Sequence, residues 1–188
     1  LRILGIIALV IIGSGRRPSS LANIAPAPPT ILVDSEGKAF DLGALKGKVV
    51  LVSFVYTTCS GTCPATTATL VRVQRSLEMA KLWGKSVAFV SITLDPTRDS
   101  PEALRAYAKL FRASDPSWHF LTGTPAQVDS VIKAWGMWAK IGAGGVIDHP
   151  SRIFLLDRQG REREIYNLEF LTLDSVLSDI QELLEEAP

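Results

Sequence analysis

Cys59 and Cys63 are the only two cysteines among the 188 residues. Upstream of them, Lys48 to Tyr56 contains the run Val-Val-Leu-Val-Ser-Phe-Val, apolar on both faces as a buried parallel strand is. Downstream, Leu70, Val73, Leu77 and Ala80 recur at helical spacing, which predicts a helix from about Pro64 to Trp83 with Pro64 at its first position. The cysteines therefore occupy the turn between the carboxyl end of a strand and the amino end of a helix. Unpaired N–H groups and the helix dipole stabilise a thiolate there, so both thiols are expected to be acidic and reactive.

Three chemistries use such a pair. A structural disulfide is one, but a staple that closes so short a loop stabilises a fold little. Disulfide exchange is the second, and dithiol oxidoreductases built on a strand, turn and helix of this kind typically place two residues between the cysteines. Here there are three, Ser60, Gly61 and Thr62. That wider loop favours the third chemistry, a metal held between the sulfurs. Soft thiolates select copper(I), zinc or iron–sulfur clusters; two cysteines build no cluster, and no zinc-finger spacing is present, which leaves copper.

Only two histidines could complete a site. His149 ends a Gly-rich loop, Ile141 to His149, and directly precedes a strand expected to face the cysteine turn. Two thiolates and one imidazole accept copper(II) as well as copper(I). His119, in Trp118-His119-Phe120-Leu121, reads as a flanking or surface residue. Asp95 and Asp99 follow the second central strand on the same sheet edge as the cysteines, and Asp99 is expected to cap a helix. Asp148 adjoins His149, but successive side chains of extended backbone point apart. Trp135, Met137 and Trp138 read as packing residues, and Pro150 is not expected to follow a cis bond.

The elements that must position these residues follow one another in a consistent order. Ile31 to Val33 and Lys38 to Phe40 form a short hairpin around Ser35-Glu36-Gly37. After the cysteine-bearing strand and its helix come a second buried strand, Ser86 to Leu94, and a helix opened by Ser100-Pro101-Glu102. A strand at Trp118 to Thr122 and a helix from Thr124-Pro125 to about Trp138 follow. Arg152 to Asp157 and Glu162 to Tyr166 form a hairpin, and Thr172 opens the last helix. This is an α/β, thioredoxin-like plan, a central mixed sheet flanked by helices, with an N-terminal β-hairpin extension and an inserted strand-helix unit.

Residues outside that plan set the compartment. Ile3 to Gly13 carry no polar side chain and are preceded by Arg2, so residues 1–13 read as a signal or membrane anchor. Arg16-Arg17 favours an uncleaved anchor, while Ser20-Leu21-Ala22 would fit a cleavage site. Residues 14–29, rich in Pro and Gly, read as a linker, with the domain at 30–188. The domain is thereby expected on the periplasmic side of the cell inner membrane, where a cysteine pair can persist oxidised. A formal charge of +1, with 20 basic and 19 acidic side chains, excludes a dominant nucleic-acid surface.

On these residues the sequence resembles the Sco/SenC family of thioredoxin-like copper proteins. The matching stretches are Phe54-Val55-Tyr56-Thr57-Thr58-Cys59 through Cys63-Pro64, Leu94-Asp95-Pro96-Thr97-Arg98-Asp99-Ser100-Pro101-Glu102, Phe120-Leu121-Thr122-Gly123, and Asp148-His149 before Arg152-Ile153-Phe154-Leu155-Leu156-Asp157. The resemblance implies Cys59, Cys63 and His149 as copper ligands and a role in assembling the copper centre of cytochrome c oxidase. It also implies a copper-accepting oxidase subunit as client and a thiol reductase as second partner. The alternative is a thiol-disulfide oxidoreductase that keeps that subunit's cysteines reduced through Cys59 and Cys63. A peroxidase lacks the Pro and Thr arrangement usually found before its reactive cysteine. Family members commonly carry Pro and an acidic residue between the cysteines, so Ser60-Gly61-Thr62 changes the charge that a docking partner meets.

Overall fold

Alternation along the cysteine-bearing strand sets the layers of the molecule. In the computed structural model, which describes residues 20–113 and 115–186, Val49 and Leu51 of β4 (Val49–Val55) face one apolar cluster and Val50, Val52 and Phe54 face another. A strand buried on both faces needs a cover on each side. Helices α1 (Thr62–Met79), α2 (Pro101–Phe111) and α4 (Leu173–Glu185) supply one cover. Helix α3 (Pro125–Ala134), a short 3-10 turn at Leu42–Leu45 and the Trp135–Met137 corner supply the other.

The remaining strands are β1 (Ala25–Pro26), β2 (Ile31–Asp34), β3 (Ala39–Asp41), β5 (Val87–Thr93), β6 (Trp118–Thr122), β9 (Ile153–Leu156) and β10 (Arg161–Tyr166), with β7 (Lys140–Ile141) and β8 (Ile147–Asp148) apart. The first seven join β4 in one eight-stranded sheet in the order β1-β10-β9-β4-β5-β6-β2-β3. β4, β5 and β6 run parallel, and every other pair in the sheet is antiparallel. Parallel β4 and β5 end together, so the turns after Val55 and Thr93 share one edge of the sheet. That edge carries the cysteines and the Asp95–Asp99 loop, as expected from the sequence.

Three expectations shift. Helix α1 starts at Thr62 rather than Pro64, which puts Cys63 in the second helical position and Pro64 in the third. Proline is tolerated there because the first N–H groups of a helix have no partner in it anyway. The expected Gly-rich loop contains a two-stranded ribbon, with Lys140 paired to Asp148 and Ile141 to Ile147. Part of the expected linker lies along the sheet: Ala25 and Pro26 pair with Glu162 and Arg161, so the ordered sheet begins upstream of Thr30. Proline on an edge strand loses no ladder bond if its nitrogen faces outward. The apolar run 1–13 and residues 14–19 lie outside the described residues; no helix among the described ones is long and apolar enough to cross a membrane.

Candidate metal and redox site

Cys59 and Cys63 sit where the strand-turn-helix rule puts them, but their surroundings differ. Cys59 is half-buried in the turn, Cys63 is buried in the first turn of α1, and neither forms a disulfide. Burial alone would raise the Cys59 thiol. Hydrogen bonds from the Cys63 thiol, the Cys63 and Gly61 amides and the Tyr56 hydroxyl outweigh it and bring Cys59 below the ordinary thiol range. Cys63 goes the other way, pushed up to about 12 by burial and by its thiol's bond to Cys59. The expectation of two acidic thiols is thus corrected to one. The helix N-terminus supports a single negative charge, and the less buried sulfur takes it.

The consequence is testable in the reduced chain. Thiolate fraction rises with pH, so a lowered pKa moves the onset of reactivity toward acid. Alkylation of Cys59 is expected to have a midpoint below the roughly 8.5 of a free thiol, while Cys63 stays unmodified until strongly alkaline pH. Peptide mapping after iodoacetamide pulses across a pH series checks this; equal labelling of the two would contradict it.

His149 follows β8 and faces the first turn of α1, where Cys63 sits. It lines a narrow cleft with Phe54, Thr62, Cys63, Thr66 and Pro150, and its ring stands edge-on to Tyr56 with centroids 6.1 Å apart. Its Nδ1 is 3.0 Å from the Pro150 carbonyl oxygen. A carbonyl only accepts, so Nδ1 is the donor in this bond and Nε2 is the nitrogen left to face a metal. The imidazole is not yet in ligating range: among the described residues, no three His, Cys, Asp or Glu side chains are gathered closely enough to enclose a metal. The donor set, two sulfurs and one imidazole, nonetheless fits a soft or borderline ion such as copper.

Two residues at this site, Tyr56 and Arg98, lie in the stretches that match the family but have no role assigned to them from the sequence. Tyr56 ends the apolar run and reads as core, yet its hydroxyl bonds Cys59 and accepts from the Ile147 amide at 3.4 Å. Burial and the Cys59 contact hold the Tyr56 phenol above its usual range, so it donates as a neutral group. Its one clue was a phenol at the carboxyl edge of a parallel strand, where sites concentrate. Arg98, in the loop after β5, reaches both Asp95 and the Gly145 carbonyl.

Asp99 is not the expected helix cap; Ser100 caps α2. Instead the buried Asp99 carboxylate accepts from the Thr57 amide at 3.2 Å, the Thr57 hydroxyl at 2.5 Å and the Thr93 hydroxyl at 2.5 Å. It braces the cysteine turn against the end of β5. Burial raises Asp99 above the usual carboxylate range against the pull of those donors. Asp148 is exposed. His119 lies on β6 with its ring 4.5 Å from Phe40, and burial lowers its pKa. Trp135 and Met137 are core, whereas Trp138 is exposed with Lys140 Nζ 5.2 Å from its ring centroid. The bond before Pro150 is trans.

Known proteins share this arrangement of strands and helices. The family model described as SCO1/SenC matches residues 26–185. The chain is 29% identical over 157 residues to the SCO1 protein homolog of Bacillus subtilis, a match spanning 81% of this chain and 80% of that protein. It is similar to the solved structure of Bradyrhizobium japonicum ScoI with copper bound, at 32% identity and a TM-score of 0.72, covering 85% of this chain and 99% of that one. It is also similar to BsSco, a member of the Sco family of cytochrome c oxidase assembly proteins in which a disulfide switch was identified, at 27% identity and a TM-score of 0.72, covering 89% and 96%.

Proposed function

Because this chain belongs to the SCO1/SenC family, we propose that it binds copper through Cys59, Cys63 and His149 and passes the ion to the copper centre of cytochrome c oxidase. The observation that carries this reading is two cysteines in one turn at a helix N-terminus, with His149 lining the same cleft as Cys63. Copper here is cargo. The sulfurs supply the soft donors, and the imidazole at the end of the glycine ribbon makes the third contact. Release then needs only His149 to withdraw before donors of the accepting subunit exchange for the thiolates. The copper bound by the similar ScoI supports the choice of ion. A tether at residues 1–13, holding the domain on the periplasmic face of the inner membrane, is part of the proposal; the apolar run from Ile3 to Gly13 supports it.

A second reading has its own support in the unequal thiols. A low-pKa, half-exposed Cys59 beside a buried, protonated Cys63 is the layout of a thiol-disulfide oxidoreductase. Cys59 thiolate would attack a client disulfide, forming a mixed disulfide and releasing one client thiolate. Cys63 would then lose its proton and displace the second, leaving a Cys59–Cys63 disulfide and a reduced client. A separate thiol reductase would restore the pair.

Titrating the fully reduced chain with copper(II), followed by visible and EPR spectra, separates the two. A sulfur-to-copper charge-transfer band that is lost or displaced in His149→Ala is the result expected of a copper carrier. No tight copper binding, alongside rapid reduction of a disulfide peptide, would replace it with the oxidoreductase.

A further inference from the structure

His149 hangs on a ribbon rich in glycine, and such a segment needs an external restraint if it is to keep one position over the cysteines. Gly144 and Gly145 have φ of 69° and 78°, and Val146, Ile141 and Trp138 on the same segment are exposed. Inside the ribbon, the Gly142 amide bonds the Val146 carbonyl at 2.7 Å and the Gly145 amide bonds the Gly142 carbonyl at 3.3 Å. These bonds shape the ribbon; its base is fixed at the buried Ile147, whose amide donates to the Tyr56 hydroxyl, which leaves the glycine tip from Gly142 to Val146 to be held.

Arg98 supplies the restraint. Its Nε donates to the buried Asp95 carboxylate, and its Nη2 donates to the Gly145 carbonyl at 2.9 Å. Asp95 is itself held: its amide donates to the Thr93 hydroxyl at 2.8 Å, and its carboxylate accepts from the Thr97 hydroxyl at 2.7 Å. Thr93 donates onward to Asp99, and Asp99 accepts from Thr57, two residues before Cys59. A continuous path thus runs from the cysteine turn through Asp99, Thr93, Asp95 and Arg98 to the ribbon that ends at His149. The fit at its far end is close, since a Cβ on Gly145 would come within 2.9 Å of Arg98 Nη1.

We propose that Arg98 is a positioning residue, a guanidinium latch that ties the tip of the glycine ribbon to the Asp95 loop, so that only the His149 end of the ribbon has to close the remaining distance to an ion on Cys59 and Cys63. Its functional consequence rests on the copper reading above. Arginine suits the task because its planar fork satisfies a carboxylate and a carbonyl together, which a lysine ammonium does not do with the same geometry. The latch orders the ribbon before the ion arrives, so less freedom remains to be lost when the imidazole engages.

Hydrogen exchange on the reduced full-length chain without metal reads the latch directly. In Arg98→Ala, the Gly142 and Gly145 amides are expected to exchange at least about tenfold faster, since a hydrogen bond from a charged group is among the stronger kind. Amides of β4 and β5 should keep wild-type protection, which shows that the variant is folded. Arg98→Lys should not restore the ribbon's protection. With copper(II), Arg98→Ala should retain the thiolate band, lose its His149-dependent component, and bind about 10–100-fold more weakly, the usual effect of removing a group that orients a ligand.

Unchanged ribbon exchange in Arg98→Ala would overturn the latch. Faster exchange with a wild-type copper spectrum and affinity would overturn its role at the metal site. If the wild-type chain binds no copper while Arg98→Ala still loosens the ribbon, the copper reading fails and the latch itself stands.

Discussion

Cys63→Ser is expected to cost the chain its copper and to trap its disulfide chemistry halfway. A serine hydroxyl is a hard, neutral donor, and copper(I) selects soft thiolates, so replacing one of two sulfurs should weaken binding by more than the roughly 10–100-fold typical of losing a mere supporting group. Cys59 keeps its low pKa in the variant, because the serine hydroxyl still donates to it and the Gly61 and residue-63 amides are unchanged. It therefore still attacks a disulfide, but no buried second thiol follows. A long-lived mixed disulfide with a model peptide, visible as an added mass on Cys59, is the expected product. Cys59→Ser should lose copper equally and form no adduct at all. The pair of variants distinguishes a ligand from a nucleophile, which neither does alone. A Cys63→Ser chain that keeps wild-type copper affinity would remove Cys63 from the ligand set.

That asymmetry was beyond the reach of the sequence, whereas the place of the cysteines was not. An apolar run followed by a proline and a helical repeat fixes a strand, a turn and a helix, and the turn of a parallel strand has to open at the carboxyl edge of the sheet. The family resemblance rested on motifs in these same turns. What the pattern omits is depth. Cys63 faces inward because α1 begins at Thr62, two residues earlier than Pro64 suggested, and a shift of two residues on a helix turns a side chain through more than half a revolution. Asp99 shows the same limit: an acid before Ser-Pro-Glu reads as a cap, but the end of β5 turns it back onto Thr57 and Thr93. Arg98 and Gly145 meet only because two loops far apart in sequence share one edge of the sheet, and no local pattern encodes that meeting. The ribbon at 140–148 was hidden for a related reason, since its strands are two residues each and lie among glycines.

Arg163→Ala should be the most destabilising single change outside the apolar core, and it should leave the site chemistry of the folded molecules intact. The Arg163 side chain is only 8% exposed and serves both ends of the described chain. It donates to Glu186 at 2.7 and 2.8 Å, to Asp157 at 3.2 Å, and to the carbonyls of Ala22 and Leu21 at 2.7 and 3.0 Å. Glu186 holds the guanidinium above its ordinary pKa despite burial, so the charge is permanent. Removing one partner of a buried ion pair costs about 3–5 kcal/mol, because the remaining charge stays out of water without its counterion. Against a total of about 5–15 kcal/mol this is a large fraction, and at about 2–4 °C per kcal/mol it predicts a fall in Tm of about 6–20 °C. Arg163→Lys should recover only part of the loss, since a single ammonium cannot reach carbonyls and carboxylates arrayed around a planar fork. The clamp lies at the opposite end of β4 from the cysteines, where Val50 pairs with Leu156, so the copper spectrum below the transition should match wild type. Thermal melts with the copper titration repeated at low temperature check both halves. A Tm within about 2 °C of wild type would show that the clamp contributes less than 1 kcal/mol, the range of an exposed ion pair.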